Sequence, residues 1–527
     1  MIRRINLYGG PGCRKCFGKN TPIMMFNGKI SLVQDIKNGD VLMGDDSKPR
    51  VVSGVIRGRG ELFKINRTKG DHFIVNKEHI LSLKTGYSNR YQNHFSKKGN
   101  IYNISIRDYL SESNKFKHCM KGYRVGINFR KKDLPIDPYF IGLWLGNGTS
   151  DKKNQSKVEI TTADDVIFQY IRSIANDYGM RVSSYPKKES KASSHRIVSD
   201  NNKNKISPIL RDLKIHEKHI PKIYLMNSRK NRLKLLAGLI DSDGNKIRAG
   251  YAFSNTNKKL IDNAAFLCRS LGFYASICKR KTSCQSCKDR VNYIITINGD
   301  CDQIPIKLSY KKCTKRKMNK NHLHFGFEVE RVGEGDYFGF EVDKNHLFLL
   351  GDFTVVHNST QAAYLYSQLK AQKLKVELVQ EFVKTWAYEK RQPSSFDQLY
   401  LFARQLRMED IVLRNGVDYV ITDSPIGLAI CYSQADAFIQ WPALTILAQE
   451  FERKYPSLNL FFDRDGTDYE VHGRFQDESG AIKMDKLILA YLEVNQLPYQ
   501  IVNCADVDSM MSIVNSAMGG EKENEMG

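Results

Sequence analysis

Two halves of one glycine-rich motif stand 343 residues apart in this 527-residue chain. The upstream half runs Leu7-Tyr8-Gly9-Gly10-Pro11-Gly12-Cys13-Arg14-Lys15, and the downstream half runs Ser359-Thr360-Gln361-Ala362-Ala363. Joined, they give a short strand, a Gly-rich turn, Lys-Ser-Thr and a helix start, close to the pattern G-x-x-x-x-G-K-[ST]. The interruption opens with Cys16 and closes with His357-Asn358 ahead of Ser359. A thiol, a side-chain amide and a hydroxyl acceptor at those places are what a segment that cuts itself out requires. The flanks must therefore fold as one body around a second one.

Charge separates the two bodies. Residues 1–15 and 359–527 carry 20 Lys+Arg against 24 Asp+Glu, a net of −4, whereas residues 16–358 carry 61 against 33, a net of +28. A basic excess of that size is the footprint of a polyanion binder, and double-stranded DNA is the expected partner of the insert. The chain is too long for one core. It contains no apolar run long enough to span a membrane, and its eleven cysteines are scattered and odd in number. A reducing, cytoplasmic compartment with no membrane partner is expected.

The outer parts of the insert, 16–118 and 326–358, read as short strands broken by turns such as Asn27-Gly28 and Asn38-Gly39-Asp40. Four blocks then resemble an intein, with the horseshoe-shaped all-β Hint fold of that family. They are Cys16-Phe17-Gly18-Lys19-Asn20-Thr21; Asn76-Lys77-Glu78-His79, with Asn76 in place of the usual threonine; Tyr337 through Leu350; and Val355-Val356-His357-Asn358-Ser359. Gly339 stands where many inteins carry an aspartate. The resemblance implies that Cys16 attacks the Lys15 carbonyl to form a thioester, with Asn76 and His79 activating that peptide. Ser359 then takes the acyl group, Asn358 cyclises to release the insert, and His346 and His357 assist. No cofactor is needed for these steps.

The middle, 119–325, has longer amphipathic segments. Leu236-Ala237-Gly238-Leu239-Ile240-Asp241-Ser242-Asp243-Gly244 differs from the LAGLIDADG signature at one position, and Phe140 through Gly148 resembles a first copy. A similar helix-and-strand pattern follows each, an internal repeat that implies a pseudo-two-fold α+β domain. The resemblance is to dodecapeptide-type homing endonucleases, which cut DNA at the host gene's insertion site. It implies Mg²⁺ held by Asp243 and by Asn147, a neutral residue where a second acid is expected. Lys218, before Ile220-Pro221, and Arg290 are candidate basic helpers, and Lys97, Lys98, Arg124, Arg130, Lys131 and Lys132 candidate phosphate contacts. Cys284-x-x-Cys287, with Cys278 and Cys301, is a weak zinc pattern that free thiols explain better.

Segments 1–15 and 359–527, joined, make 184 residues, enough for one α/β domain. Strands at Ile5–Tyr8, Val376–Val379, Asp418–Asp423 and Leu458–Phe462 alternate with helices, implying a parallel sheet. The pattern resembles phage P-loop ATPases of AAA or nucleotide-kinase type. In that resemblance Gly9, Gly10, Gly12 and Lys15 cradle ATP phosphates, Ser359, Thr360 and Asp423 serve Mg²⁺ and nucleotide, Arg474 closes over the phosphoryl group, and Glu381 faces an unknown acceptor. Arg14 replaces the usual glycine before Lys15. Two other outcomes are consistent with the residues: an insert that splices but only nicks or binds DNA, and one that cleaves without ligation.

Overall fold

The structure is a computed structural model and describes all residues except 1, 10–15, 78, 87–88, 92–93, 97–98, 150–156, 188–190, 200–203, 285–286, 316–320, 358–360, 380–392, 394–395, 436–440, 464–477, 504–506 and 520–527. The roles expected of Gly10, Gly12, Arg14, Lys15, Lys97, Lys98, Asn358, Ser359, Thr360, Glu381 and Arg474 therefore lie outside the described residues.

The two chain ends build one parallel sheet, in spatial order Val376–Val379, Tyr419–Thr422, Arg4–Gly9, Ser457–Asp463, Tyr499–Asn503. The central strand comes from the residues ahead of the insert and is buried almost throughout. Its alternation feeds two cores: Ile5 and Leu7 pack with Leu365, Leu369 and Val514 on one face, and Tyr8 packs with Ile430, Phe451 and Tyr491 on the other. Helices on both faces are what a parallel sheet needs to stay dry. Arg4, 1% exposed, pairs with the buried Glu409 at 3.4 Å and also with Glu452. Asn6 donates to Asn459 Oδ1 at 2.8 Å. Arg4 is thus satisfied inside the core, as burial demands, whereas Asn6 Oδ1 is buried with no hydrogen-bond partner among the described residues.

Inside the insert, the strand Pro49–Arg67 pairs antiparallel with Phe327–Val342, from Phe327↔Arg67 to Val342↔Val52. The early and late parts of the insert therefore share one ladder, although more than 250 residues separate the paired positions. Phe17–Gly18 lies between Phe73–Asn76 and Phe327–Val342. A hairpin of Leu347–Leu349 and Val355–His357 closes the core, in which Phe17, Val75, Phe340, Phe348 and Val356 pack together. Met120–Tyr123 pairs with both Ile80–Thr85 and His324–Phe325, so this β body includes strand residues on both sides of the middle segment.

The middle segment is built on two helices, Pro138–Asn147 and Arg229–Asp243, sharing one core. Asp137 caps the first by accepting from Tyr139 N–H, and Ser228 caps the second by accepting from Asn231 N–H. Each helix is followed by an antiparallel sheet and a second helix, Asp165–Asp177 or Lys258–Ser270. The repeat read from the sequence is thus a repeat in structure. The paired helices touch through glycine: a Cβ on Gly238 would stand 2.2 Å from Tyr139 O, and one on Gly142 2.2 Å from Leu235 O. Gly238→Ala is expected to force the helices apart and destabilise this domain by about 2–3 kcal/mol in urea unfolding, as overpacking of a tight core does. Among the described residues no helix is long and apolar enough to cross a membrane.

Candidate functional sites

The first site forms where the insert begins. Cys16 is fully buried, and its N–H donates to Asn76 Oδ1 at 2.8 Å while Asn76 N–H donates to Cys16 O at 3.1 Å. His79 N–H donates to Asn76 O at 3.1 Å, and His79 O accepts from Ile106 N–H at 3.0 Å. The turn carrying Asn76 and His79 is thereby pinned at both ends. An amide at position 76 reaches the nitrogen of the Lys15–Cys16 peptide, the role a threonine hydroxyl is expected to fill.

The end of the insert comes to the same place. The Phe17 ring meets His79 edge-on at 4.6 Å and Phe348 at 5.9 Å between centroids. Phe348 stands opposite Val356 in the closing hairpin, and Leu347 opposite His357. His346, at φ +57°, has its ring Nδ1 2.7 Å from Val342 O, so a proton on Nδ1 would leave Nε2 as the basic nitrogen. Its ring lies 6.2 Å from that of His357, and both are nearly buried. Gly339 pairs with Ile56 in the long ladder and brings no carboxylate. The structure thus gathers Cys16, Asn76, His79, His346 and His357 around Phe17 and Phe348.

The second site lies at the ends of the paired helices. Burial pushes the Asp243 carboxyl up from its ordinary range, while Lys218 and Lys311 pull it down. Lys218 Nζ donates to Trp144 O at 3.0 Å, Leu145 O at 3.1 Å and Gly148 O at 2.7 Å, closing the first helix, and burial pushes its ammonium down to about 8. Lys311 Nζ donates to Ile240 O at 3.0 Å and Asp241 O at 2.8 Å, closing the second in the same way. Sequence reading missed Lys311. Its signal was the repeat itself: Lys311 follows Ile240 by 71 residues, and Lys218 follows the matching Trp144 by 74. Each lysine comes at the end of a short 3₁₀ turn, Ile215–Glu217 or Ser309–Lys311.

The signature's two acids have different surroundings. Asp241 accepts from Tyr139 Oη at 2.6 Å and from Lys307 N–H at 2.8 Å, so it ties the two copies together. Asp243 makes no such anchor among the described contacts. A Cβ on Gly146 would stand 3.3 Å from Asp243 Cγ, which places the neighbouring Asn147 at the same helix ends. A carboxylate beside an amide oxygen is a hard-oxygen donor set of the kind Mg²⁺ takes. The side chains of Arg290, Cys284 and Cys287 lie outside the described set. Cys278 is exposed, and the buried Cys301 thiol is pushed up to about 12. Among the described residues no group of three or more His, Cys, Asp or Glu is placed to hold a metal.

The third site is at the carboxyl ends of the host strands. Asp423 follows Tyr419–Thr422, whose Thr422 pairs with Asn6 of the central strand. Gly9, at φ +92°, ends that strand, and a Cβ there would stand 2.6 Å from Phe462 O. Only glycine accommodates both conditions. Ligands of open α/β sheets gather outside such strand ends.

Comparison with known proteins finds family models that match two parts of the insert. Residues 16–128 match the family model described as Hom_end-associated Hint, and residues 136–208 and 219–325 match the one described as homing endonuclease. The chain is similar to the replicative DNA helicase DnaB of Mycobacterium intracellulare, 27% identical over 381 residues, covering 66% of this chain and 59% of that one. It is also similar to the homothallic switching endonuclease of Saccharomyces cerevisiae, 23% identical over 315 residues, covering 48% of this chain and 52% of that one. The chain thus spans somewhat over half the length of these two relatives. Both aligned lengths exceed the 184 flanking residues, so each likeness must extend into the insert. Solved structures of the homing endonuclease I-DmoI cover 31% of this chain and 87% of that one at 16% identity and TM-score 0.23. The gp41-1 intein covers 18% and 81% at 16% identity and TM-score 0.13. The insert is thus similar, over residues 16–128, to the Hom_end-associated Hint family and, over 136–208 and 219–325, to the homing endonuclease family.

Proposed function

We propose that the chain is a precursor that undergoes protein splicing, with 16–118 and 326–358 forming the splicing domain, to which the strands Met120–Tyr123 and His324–Phe325 are added, and the rest of 119–325 the endonuclease. Splicing releases the insert and joins Lys15 to Ser359. The observation that carries this reading is the Cys16 N–H held by Asn76 Oδ1, with the hairpin ending at His357 reached through the Phe17–Phe348 contact. Fixing the scissile peptide orients its carbonyl for the Cys16 thiolate and places the departing nitrogen on a hydrogen-bonding partner. His79 protonates that nitrogen. The Ser359 hydroxyl takes the acyl group, the Asn358 amide attacks its own carbonyl, and an O-to-N shift restores the peptide. Expression of the whole chain followed by mass measurement tests this: a joined host of 184 residues is expected. Intact precursor alone, or unjoined halves alone, would refute it.

The released insert is proposed to bind and cut double-stranded DNA at the uninterrupted host gene. Asp243 and Asn147 would hold Mg²⁺, whose chemistry when bound is to activate water and stabilise the leaving oxygen. Lys218 and Lys311 keep the two helix ends closed and add positive charge beside Asp243. Asn147 favours a second form of this reading, in which one strand is cut faster than the other. The joined host is proposed to bind ATP through Gly9, Gly10, Gly12, Lys15, Ser359 and Thr360, with Asp423 toward Mg²⁺ and Arg474 over the phosphates. The place of Gly9 and Asp423 at the strand ends supports nucleotide binding.

A further inference from the structure

Asp352 lies in the turn of the closing hairpin, between Leu347–Leu349 and Val355–His357, five residues ahead of His357. Two nearly buried arginines converge on its carboxylate. Arg67 Nη1 donates to Asp352 Oδ2 at 2.7 Å and to Thr354 Oγ1 at 2.6 Å, and Arg124 Nη2 donates to the same Oδ2 at 3.0 Å. Their side chains are 4% and 6% exposed. Burial alone would raise the Asp352 carboxyl, but Arg67 and Arg124 outweigh it and hold the group well below the usual carboxylate range. Two desolvated guanidiniums sharing one carboxylate make an arrangement that loses much when the carboxylate is removed.

The brace joins three elements. Arg67 ends the long strand Pro49–Arg67. Arg124 opens the connector into the endonuclease and makes an antiparallel bridge with Thr354. The next connector residue, Val125, donates its N–H to Phe353 O at 3.3 Å, and Phe353 meets Phe266 of the endonuclease at 5.3 Å. The hairpin that ends at His357 is thus fixed at its turn.

We propose that Asp352 is a positioning residue for the carboxyl-terminal step of splicing, holding the hairpin so that His357 and Asn358 reach the geometry of cyclisation; this rests on the splicing reading above. It takes no part in the chemistry at Cys16. The test measures both steps in the full chain: cleavage at Lys15–Cys16 induced by an added thiol, and release of the host half at Asn358. In Asp352→Asn, release at Asn358 is expected to fall by about 10²-fold, the effect of misplacing reacting groups by about 1 Å, with thiol-induced cleavage within about twofold. Thr354→Val keeps both ion pairs and removes the hydroxyl that accepts from Arg67 and hydrogen-bonds Asp352, and a smaller loss confined to the same step is expected. Equal losses in both steps for both variants, or no loss in either, would overturn the positioning role. A wild-type chain that performs neither step would overturn the splicing reading itself, and Asp352's role with it.

Discussion

Asn358→Ala is expected to abolish release of the host's carboxyl-terminal half while leaving the thioester at Cys16 able to form. In the proposed splicing the side-chain amide of Asn358 is an intramolecular nucleophile, and well-placed groups of that kind act at effective molarities of about 10⁵ M or more. Alanine leaves water, at roughly 55 M, as the remaining nucleophile, so release should slow by on the order of 10³-fold or more. Thiol-induced cleavage ahead of Cys16 is proposed to depend on Asn76 and His79, which lie on a different turn, and should persist. The product pattern is then specific: an insert still attached to residues 359–527, seen by mass. Normal excision in this variant would show that another group makes the cut.

The second large effect is expected at Asp243. It sits between Lys218 and Lys311 at the helix ends, and both lysines bear on its charge. Asp243→Asn removes the single carboxylate proposed for the metal and leaves two amides there. Losing a charge-stabilised metal is worth several kcal/mol, so DNA cutting by the excised insert should fall about 10²–10³-fold. DNA affinity should hold or rise, since one negative charge leaves a basic surface. Gel-shift and cleavage assays on the same preparation separate the two. Asn147→Asp is the converse change and is expected to speed cutting of the slower strand. Unchanged cutting in Asp243→Asn would place the metal elsewhere.

Much of the architecture was legible because it rests on local pattern. The alternation of Ile5, Leu7 and Tyr8 announces a strand buried on both faces, and Gly142 and Gly238 announce helices in close contact. The roles of Asp241 and Asp243 were less accessible. Two acids one turn-fraction apart look alike in a motif, and only the Tyr139 hydroxyl and the Lys307 amide show that Asp241 is already engaged. Asp352 was not legible, and Lys311 only by way of the repeat, for a related reason. Their partners are helix carbonyls and arginines distant in sequence, and no short pattern encodes contacts made across 71 or 285 residues.

The central host strand carries a consequence for the order of synthesis. Arg3 reaches Val417 and Leu413, and the separation from Leu413 is 410 residues, of which 343 belong to the insert. Were the insert a flexible chain, closing that loop would cost roughly 1.6 kcal/mol more than closing the shortened one. The described part of the insert is folded: its first strand and its closing hairpin meet at Phe17 and Phe348, which returns the chain to near where it left. As the chain leaves the ribosome, the first strand must wait unpaired for its neighbours. A folded insert then brings the rest of the sheet within reach of it, at the loop cost of the shortened chain.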